Sequence, residues 1–472
     1  MFAPVLASVL LAGCRTMAPE YSRPAAPIPD AYREAAAAPG TEAAADIPWQ
    51  EFFGDARLQA LVSQAIENNR NLRIAVLNID RARALYRIQR SALFPTVNAT
   101  ASAVRQRIPE GVFGGAGGAF NAEQYSANVG VSGYELDVWG RVRSLNDAAL
   151  QSYLATEQAR RAVQIALVSE VAQAFLTHAA DAERLRLAQE TLALQKTALD
   201  LTRQRFEAGV SSALAVRQAE TTVEAARADV ARFTALLSQD RNALDLVVGA
   251  TVADEHLPSG ALDEAAAMRN LPAGLPSDLL QRRPDIVGAE HRLLAAYASI
   301  GAARAAFFPT ISLTGSAGTT SRALDALFTT GTGAWSFVPQ VVMPIFNAGR
   351  NKANLEVAQV DRELAVANYE RTIQVAFREV ADALAVRATI DEQIAAQQAL
   401  TAAAGEGLRL AEARFEGGVD SFLPVLDAQR QLYQAQQGLI AVRLARGATL
   451  VNMYRALGGG WTDPAPTTAS VQ

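Results

Sequence analysis

The chain carries one pattern twice, and an internal repeat of this length constrains the fold before any single residue is read. LTRQRFEAGVSSAL at Leu201–Leu214 and LAEARFEGGVDSFL at Leu410–Leu423 agree at eight of fourteen positions, where roughly one match arises by chance. Gly140-Arg141 and Gly349-Arg350 precede these segments by the same number of residues in both copies. Phe94-Pro95-Thr96 and Phe308-Pro309-Thr310 repeat too. Between FPT and GR, however, five residues have been gained or lost, in a stretch that holds the Gly-rich IPEGVFGGAGGAF and its counterpart. Exposed loops absorb length changes and packed elements do not, so the helices keep register while the loops vary.

From Arg141 to Ala208 there is neither Gly nor Pro, and Leu185, Leu192, Leu199 and Phe206 recur at heptad spacing. At about 1.5 Å per residue this helical stretch reaches on the order of 100 Å. A second seam, Leu187, Leu194 and Leu201, lies two residues on and so about 200° around the helix. Two opposed seams predict a neighbour on both sides, as in a curved wall of helices; an ordinary two-stranded coiled coil is the plainer alternative. Gly209 and Gly418 are expected as C-terminal stops, and Ser212 and Ser421 as N-caps of the returning helices, with Pro424 in the first turn. Each copy is then a helical hairpin. Gly405 and Gly407 stand in mid-helix where the first copy has Lys196 and Ala198, so the second hairpin is the one expected to bend.

Four segments alternate instead. Val97, Ala99, Ala101 and Ala103 alternate with Thr96, Asn98, Thr100 and Ser102; Tyr125, Ala127, Val129 and Val131 alternate with Ser126, Asn128, Gly130 and Ser132. Ile311 and Leu313 alternate with Ser312, Thr314 and Ser316, and the fourth segment carries Trp335, Phe337 and Val341 on one face. Strands of this length and pattern suit a transmembrane barrel wall, although soluble strands alternate as well. Four strands cannot close a barrel, and lipid tolerates no open edge. Three copies give twelve strands and, at roughly 4.8 Å spacing and 40° tilt, a tube of about 25 Å. Two copies would give eight strands with a filled interior.

The N-terminus MFAPVLASVLLAGC reads as a cleaved export signal that stops at small residues. Cys14 is the only cysteine, so an internal disulfide and a CxxC metal site are excluded. Leu11-Ala12-Gly13-Cys14 resembles a lipobox, in which the cysteine is acylated; a buried free thiol is the other reading. No other stretch has the eighteen or so uncharged apolar residues of a transmembrane helix. A net charge of −5 and a pI near 5.5 argue against a nucleic-acid partner, which needs clustered Lys and Arg. His178, His256 and His291 are scattered, P-loop and GxSxG motifs are missing, and the five methionines form no cluster. The expectation is a chain with no enzymatic chemistry, no metal and no cofactor.

The lipobox, LLQRRPDIVGAEHRLLAAYASIGAARAAFFPTISLTG at Leu279–Gly315, MPIFNAGR at Met343–Arg350 and the twin RFExG segments together resemble the TolC/OprM-type outer-membrane efflux proteins, in the lipoprotein branch that includes NodT. The similarity runs from about Ala18 to Gly460. It implies a mainly α fold with a transmembrane β portion, in which long hairpins form an α-helical barrel and three chains share a twelve-stranded β-barrel. The implied organisation is a signal peptide at 1–13 and an N-terminal collar arm at 14–50. Repeat 1 follows at 51–249, with strands about 95–107 and 124–137 and a hairpin at 141–249. A collar linker at 250–284 leads to repeat 2 at 285–457, with strands about 309–319 and 333–346 and a hairpin at 350–457; a tail at 458–472 completes the chain. The implied function is the exit duct of a tripartite efflux system. Its partners would be two further copies of itself, a periplasmic adaptor, an inner-membrane pump of the RND type and outer-membrane lipid.

In that family a periplasmic gate follows the second tip in an LxxLDAQR pattern, which places it here at Leu423, Asp427 and Arg430. The first copy has Leu214, Gln218 and Thr221 instead. A ring of leucines excludes water, and a ring of carboxylates repels itself unless compensated; an ordinary surface ion pair is the alternative for Asp427 and Arg430. The tips, Arg205, Phe206 and Gly209 in one copy and Arg414, Phe415 and Gly418 in the other, resemble the family's adaptor-docking surface. Plain helix-turn chemistry accounts equally for the glycines.

Overall fold

The computed structural model describes residues 16–32, 44–109, 119–258, 262–269, 271 and 280–461. Cys14, the signal 1–13, most of the Gly-rich loop after β1 and most of the tail lie outside the described residues. After α1 (Ala56–Asn68), the elements are α2 (Arg70–Ser91), β1 (Val97–Ile108), β2 (Phe120–Leu136), α3 (Arg141–Glu207) and α4 (Ala213–Val248). The same order then recurs as α5 (Pro284–Ala305), β3 (Thr310–Ser321), β4 (Gly333–Val342), α6 (Arg350–Glu416) and α7 (Leu423–Ala456). The copies match in length as well as order, since α2 and α5 have 22 residues each and α3 and α6 have 67 each. No described helix is long and apolar enough to cross a membrane.

The chain divides into two compact units. The first comprises Met1–Ala25, Ile79–Thr156 and Ala289–Tyr369 and holds the sheet, whose strands run β1-β2-β3-β4 and are antiparallel throughout. Register decides which side chains share a face. Ala99 pairs with Val129, Val129 with Ala317 and Ala317 with Trp335, while Val97, Val131, Gly315 and Phe337 form the next row. In these rows one face is therefore apolar across all four strands. On the other, Ser102 bonds Ser126 at 2.8 Å and Ser316 bonds Ser336 at 2.9 Å. A Cβ at Gly318 would lie 2.1 Å from the Ala127 carbonyl oxygen, and one at Gly130 2.3 Å from that of Gly315. The close approach of β2 and β3 thus requires glycine at both places.

The register of β2 shifts between Val131 and Tyr134, where Gly133 adopts φ 65° and donates its N–H to Thr314 Oγ1 at 3.0 Å. The bulge keeps Tyr134 and Leu136 opposite the apolar Leu313 and Ile311. β2 begins at Phe120, before the expected 124, and β4 stops at Val342 rather than continuing to 346. Pro344 lacks the N–H that continued pairing would need. The Arg141 and Arg143 guanidiniums bond Glu135 and Asp137 at the start of α3, and the Asp137 carboxylate accepts the N–H groups of Val142 and Arg143 at 2.9 and 2.8 Å. These bonds satisfy two of the donors that a helix start leaves open.

The second unit comprises Ala26–Asn78, Glu157–Gly288 and Glu370–Gln472. Segments distant in sequence share one core here. Phe52 stacks on Tyr454 at 4.0 Å, the Tyr454 hydroxyl donates to Ile47 O at 2.6 Å, and Phe53 bridges to Met268. Arg283, 8% exposed, donates to Asp285, to Glu379 at 2.8 Å and to the Ala456 carbonyl at 2.9 Å, so the end of α7 is tied to the start of α5. In the hairpin of α3 and α4, the seam residues Leu192 and Leu199 pack on Val216, Ala219 and Val223. Ser212 caps α4, its hydroxyl accepting the Ala215 N–H at 3.2 Å. Ser421 does not cap α7; that place belongs to Phe422, whose carbonyl accepts from Val425 and Leu426 while Pro424 occupies the first turn. Proline supplies the preset φ, so the helix starts without a side-chain cap.

Asp181 of α3 is buried beside Asp240 of α4, and Asp240 Oδ2 has no hydrogen-bond partner among the described residues. Arg184 pairs with Asp181 at 2.7 Å. Burial, then the charge and hydrogen bond of Asp181, push the Asp240 carboxyl up to about 6. Its folded pKa lies above the unfolded value, so its stabilising contribution is complete below about pH 4 and is lost as pH rises through 6. Asp240→Asn is expected to stabilise the fold relative to wild type at pH 8 by on the order of 1 kcal/mol after discounting for solvent, seen as a higher thermal midpoint. At pH 4 the two should coincide. Melting curves of both proteins across this range check it, and a gap that persists at pH 4 would disprove the titration.

Candidate functional site at the hairpin tips

Both long helices end in the same hydrogen-bond pattern. Gly209, at φ 77°, donates to Phe206 O at 2.9 Å, and Val210 donates to Arg205 O at 2.9 Å. Gly418, at φ 69°, donates to Phe415 O at 3.0 Å, and Val419 to Arg414 O at 2.9 Å. This is the Schellman closure, which needs a left-handed residue and therefore glycine. The RFExGV repeat is in this respect a helix terminator. What the repeat leaves unexplained is the side chains, which differ in use. Arg414 forks onto Asp420 at 2.5 and 3.2 Å, an exposed pair that holds Asp420 below the usual carboxylate range. Ser211 replaces that acid in the first copy, and the Arg205 guanidinium instead lies over the Phe415 ring at 4.4 Å. Phe415 also meets Phe422 at 4.9 Å. Arg205, Phe415 and Phe422 thus join tip to tip, while Phe206, 46% exposed, remains at the surface.

The second seam of α3 faces the other hairpin. Leu187, Leu194 and Leu201 line a groove of about 370 Å³ together with Leu408 and Phe415 of α6 and Leu432 of α7. Each long helix therefore has a partner on both sides, which separates this arrangement from a two-stranded coil. A neighbouring cavity of about 350 Å³ is lined by Leu423, Asp427 and Arg430 together with Gln218 and Thr221, their counterparts in the first copy except at Leu214. The repeat has brought its own equivalent positions face to face, charged on α7 and neutral on α4. Arg430 Nη2 donates to Asp427 Oδ1 at 3.0 Å, with side chains 65% and 51% exposed. A pair this exposed adds little to stability. On the opposite side of Asp427, a groove of about 910 Å³ runs between α6 and α7 and includes Leu400, Gly407, Ala411 and Leu423. A Cβ at Gly407 would meet nothing within 4 Å, and one at Gly405 only Leu432 at 3.9 Å. Packing therefore does not require either glycine.

Sequence reasoning missed the groups that tie the two hairpins together. The Tyr433 hydroxyl donates to Asp229 Oδ2 at 2.9 Å. Burial and this bond push the phenol up to about 12, so it stays a donor in the physiological range. Gln195 donates to Gln429 at 3.0 Å and accepts from Thr222 at 2.7 Å. A signal existed in the departures from the repeat, since Tyr433 aligns with Glu224 and Asp229 with Gly438. Roles also emerge for the long motif after residue 279. Besides the Arg283 contacts, Glu290 accepts Arg23 Nε and Nη2 at 2.8 and 2.9 Å and Tyr21 at 2.8 Å, fastening the N-terminal arm. His291 bonds Gln151 at 2.7 Å, and burial holds the His178 imidazole below its usual range. Among the described residues no group of three or more His, Cys, Asp or Glu could hold a metal ion.

The outer membrane efflux protein family matches residues 61–250 and 275–459. The toluene efflux pump outer membrane protein TtgC of Pseudomonas putida is 48% identical over 470 residues, 98% of this chain and 96% of that one. A crystal structure of a membrane protein from Pseudomonas aeruginosa superposes with a TM-score of 0.89 at 45% identity, covering 94% of this chain and 100% of the other. The open state of the Neisseria gonorrhoeae MtrE outer membrane channel superposes at 0.86 with 38% identity, covering 95% and 99%. With both repeats matched and nearly the whole length shared, the chain belongs to the outer membrane efflux protein family.

Proposed function

We infer that the protein is the exit duct of a tripartite efflux system, seated in the outer membrane and passing substrates outward from a periplasmic adaptor and an inner-membrane pump. One observation carries the reading: a four-stranded sheet that is apolar on one face across all four strands in the rows of Val97 and Ala99 and open at both edges, in a chain built otherwise mostly of long helices. Lipid accepts the apolar face but not the edges. Three copies close them, giving twelve strands with the serine-lined face turned to a water-filled lumen. Cys14, acylated, anchors the chain. The helical seams allow the same threefold ring to continue as a periplasmic tunnel.

Leu423, Asp427 and Arg430 form the gate of that tunnel, held by the Tyr433–Asp229 bond and the Gln195–Gln429 bridge between hairpins. Three copies set three Asp427 carboxylates around the opening, each partly compensated by its own Arg430. The exposed tip residues Phe206 and Arg414, with Arg205, Gly209, Phe415 and Gly418 shaping the turns, receive the adaptor. The energy source is a pump of the RND type, which also selects the substrate. The likeness to a toluene efflux protein makes small apolar solvents the first substrates to assay.

The full-length protein extracted in mild detergent should run unheated at the mass of a trimer and show small, mostly closed conductance in a planar bilayer. A stable monomer without conductance would overturn the duct reading. Asp427→Ala should raise the open conductance several-fold, and so should Tyr433→Phe, which removes about 1 kcal/mol of hydrogen bonding while keeping the ring. Unchanged traces in both would remove the gate from this site. Gly405 and Gly407 let the second hairpin bend when the gate opens. Replacing both with alanine should rigidify α6 by about 1 kcal/mol per site and cut export at least several-fold at equal trimer abundance; full export would exclude the hinge.

A further inference from the structure

The register of the sheet places all four of its helix junctions at one end, since Val97 pairs with Val131, Leu136 with Ile311 and Thr310 with Val342. These junctions are fastened to one another. Trp139 stacks on Phe308 at 4.8 Å and donates to Pro309 O at 2.8 Å, the Tyr134 hydroxyl donates to Leu93 O at 2.9 Å, and Asn351 to Ala306 O at 2.7 Å. Two properties stand out on this rim. Large apolar side chains protrude from it, with Phe94 63%, Ile345 85% and Phe346 88% exposed. The rim is also basic in a chain of net charge −5. Arg141 and Arg143 are answered by Glu135 and Asp137. Arg87, Arg90, Arg304, Arg350 and Lys352 have no carboxylate partner among the described residues, and only Arg304 has even a backbone one, Met17 O at 3.2 Å.

We propose that this rim binds the headgroup of an anionic phospholipid, the phosphate engaged by the unanswered cations and the acyl chains lying on the apolar face that continues from Phe94, Ile345 and Phe346. Aromatic side chains favour the headgroup level of a bilayer, and nearby Lys and Arg attract anionic lipid, the guanidinium forking onto phosphate. A second copy of the chain brings the same five cations to its own stretch of the rim. Each copy in an assembly repeats this basic stretch, and anionic headgroups are the counter-charge that a membrane supplies at that level. A bare anion would leave the adjoining apolar side chains in water, whereas a phospholipid covers both.

The proposal rests on the outer-membrane reading, and its test keeps the two apart. The purified full-length trimer is incubated in detergent with dioleoyl phosphatidylglycerol or dioleoyl phosphatidylcholine, and retained lipid is measured by native mass spectrometry. Phosphatidylglycerol should be retained in preference, and Arg87→Gln, Arg90→Gln and Arg350→Gln should weaken that preference by about fivefold per charge removed. The corresponding lysine variants should keep most of it. Equal retention of the two lipids by an intact trimer would overturn this proposal alone, as would an undiminished preference in the glutamine variants. Loss of the lipid on adding inorganic phosphate would reduce the site to a phosphate site. A protein that never forms the trimer would overturn the duct reading and this proposal with it.

Discussion

A strand edge in hydrocarbon has nothing to bond to. In water, the outer N–H and C=O groups of β1 and β4 would be hydrated; in lipid each unpaired group costs several kcal/mol. The sheet has two such edges and its order runs β1 to β4 without closing. The same face that makes the sheet acceptable to lipid, with Val129, Ala317 and Trp335 in one row, makes the unclosed sheet unacceptable there. Assembly follows from that conflict. The long helices share the requirement, because seams on opposite sides call for neighbours on opposite sides and a helix wall ends only when it meets itself.

The repeat supplies the means. Two copies of α–β–β–α–α give each chain two hairpins that are alike where they must be, at the Schellman stops of Gly209 and Gly418, and unlike at the positions proposed to move. Differences cluster near the second tip. Gly405 and Gly407 replace Lys196 and Ala198, Asp427 and Arg430 replace Gln218 and Thr221, and Asp420 replaces Ser211. An assembly built from one hairpin only would have equivalent walls throughout. Duplication followed by divergence lets one half hold the frame while the other half carries the proposed gate. The weak, exposed Asp427–Arg430 pair is compatible with the proposed gate, since a buried pair would cost several kcal/mol to separate.

Much of the fold was legible in the sequence, because the signals are periodic and local. Freedom from Gly and Pro over Arg141–Ala208 forecast α3, the alternation around Val97 and Tyr125 forecast β1 and β2, and Ser212 was read correctly as a cap. Local reading failed where two local rules competed. Ser421 is a good cap by type, yet Pro424 presets the helix start and Phe422 takes the position. Pro344 likewise ends β4 within a run that is apolar enough to continue.

The sequence by itself determined which segments are helix and which are strand, that the pattern occurs twice, and which charged residues set the second tip apart from the first. These follow from side-chain spacing along a single chain, which needs no knowledge of neighbours. Only the tertiary structure decided that Leu194 meets the groove of α6 and α7, that Tyr433 bonds Asp229, that Asp240 lies against Asp181, and that the basic helix junctions gather on one rim. Those pairings join residues far apart along the chain. They are fixed by how helices dock and strands register, and no local period encodes which partner a given face will meet.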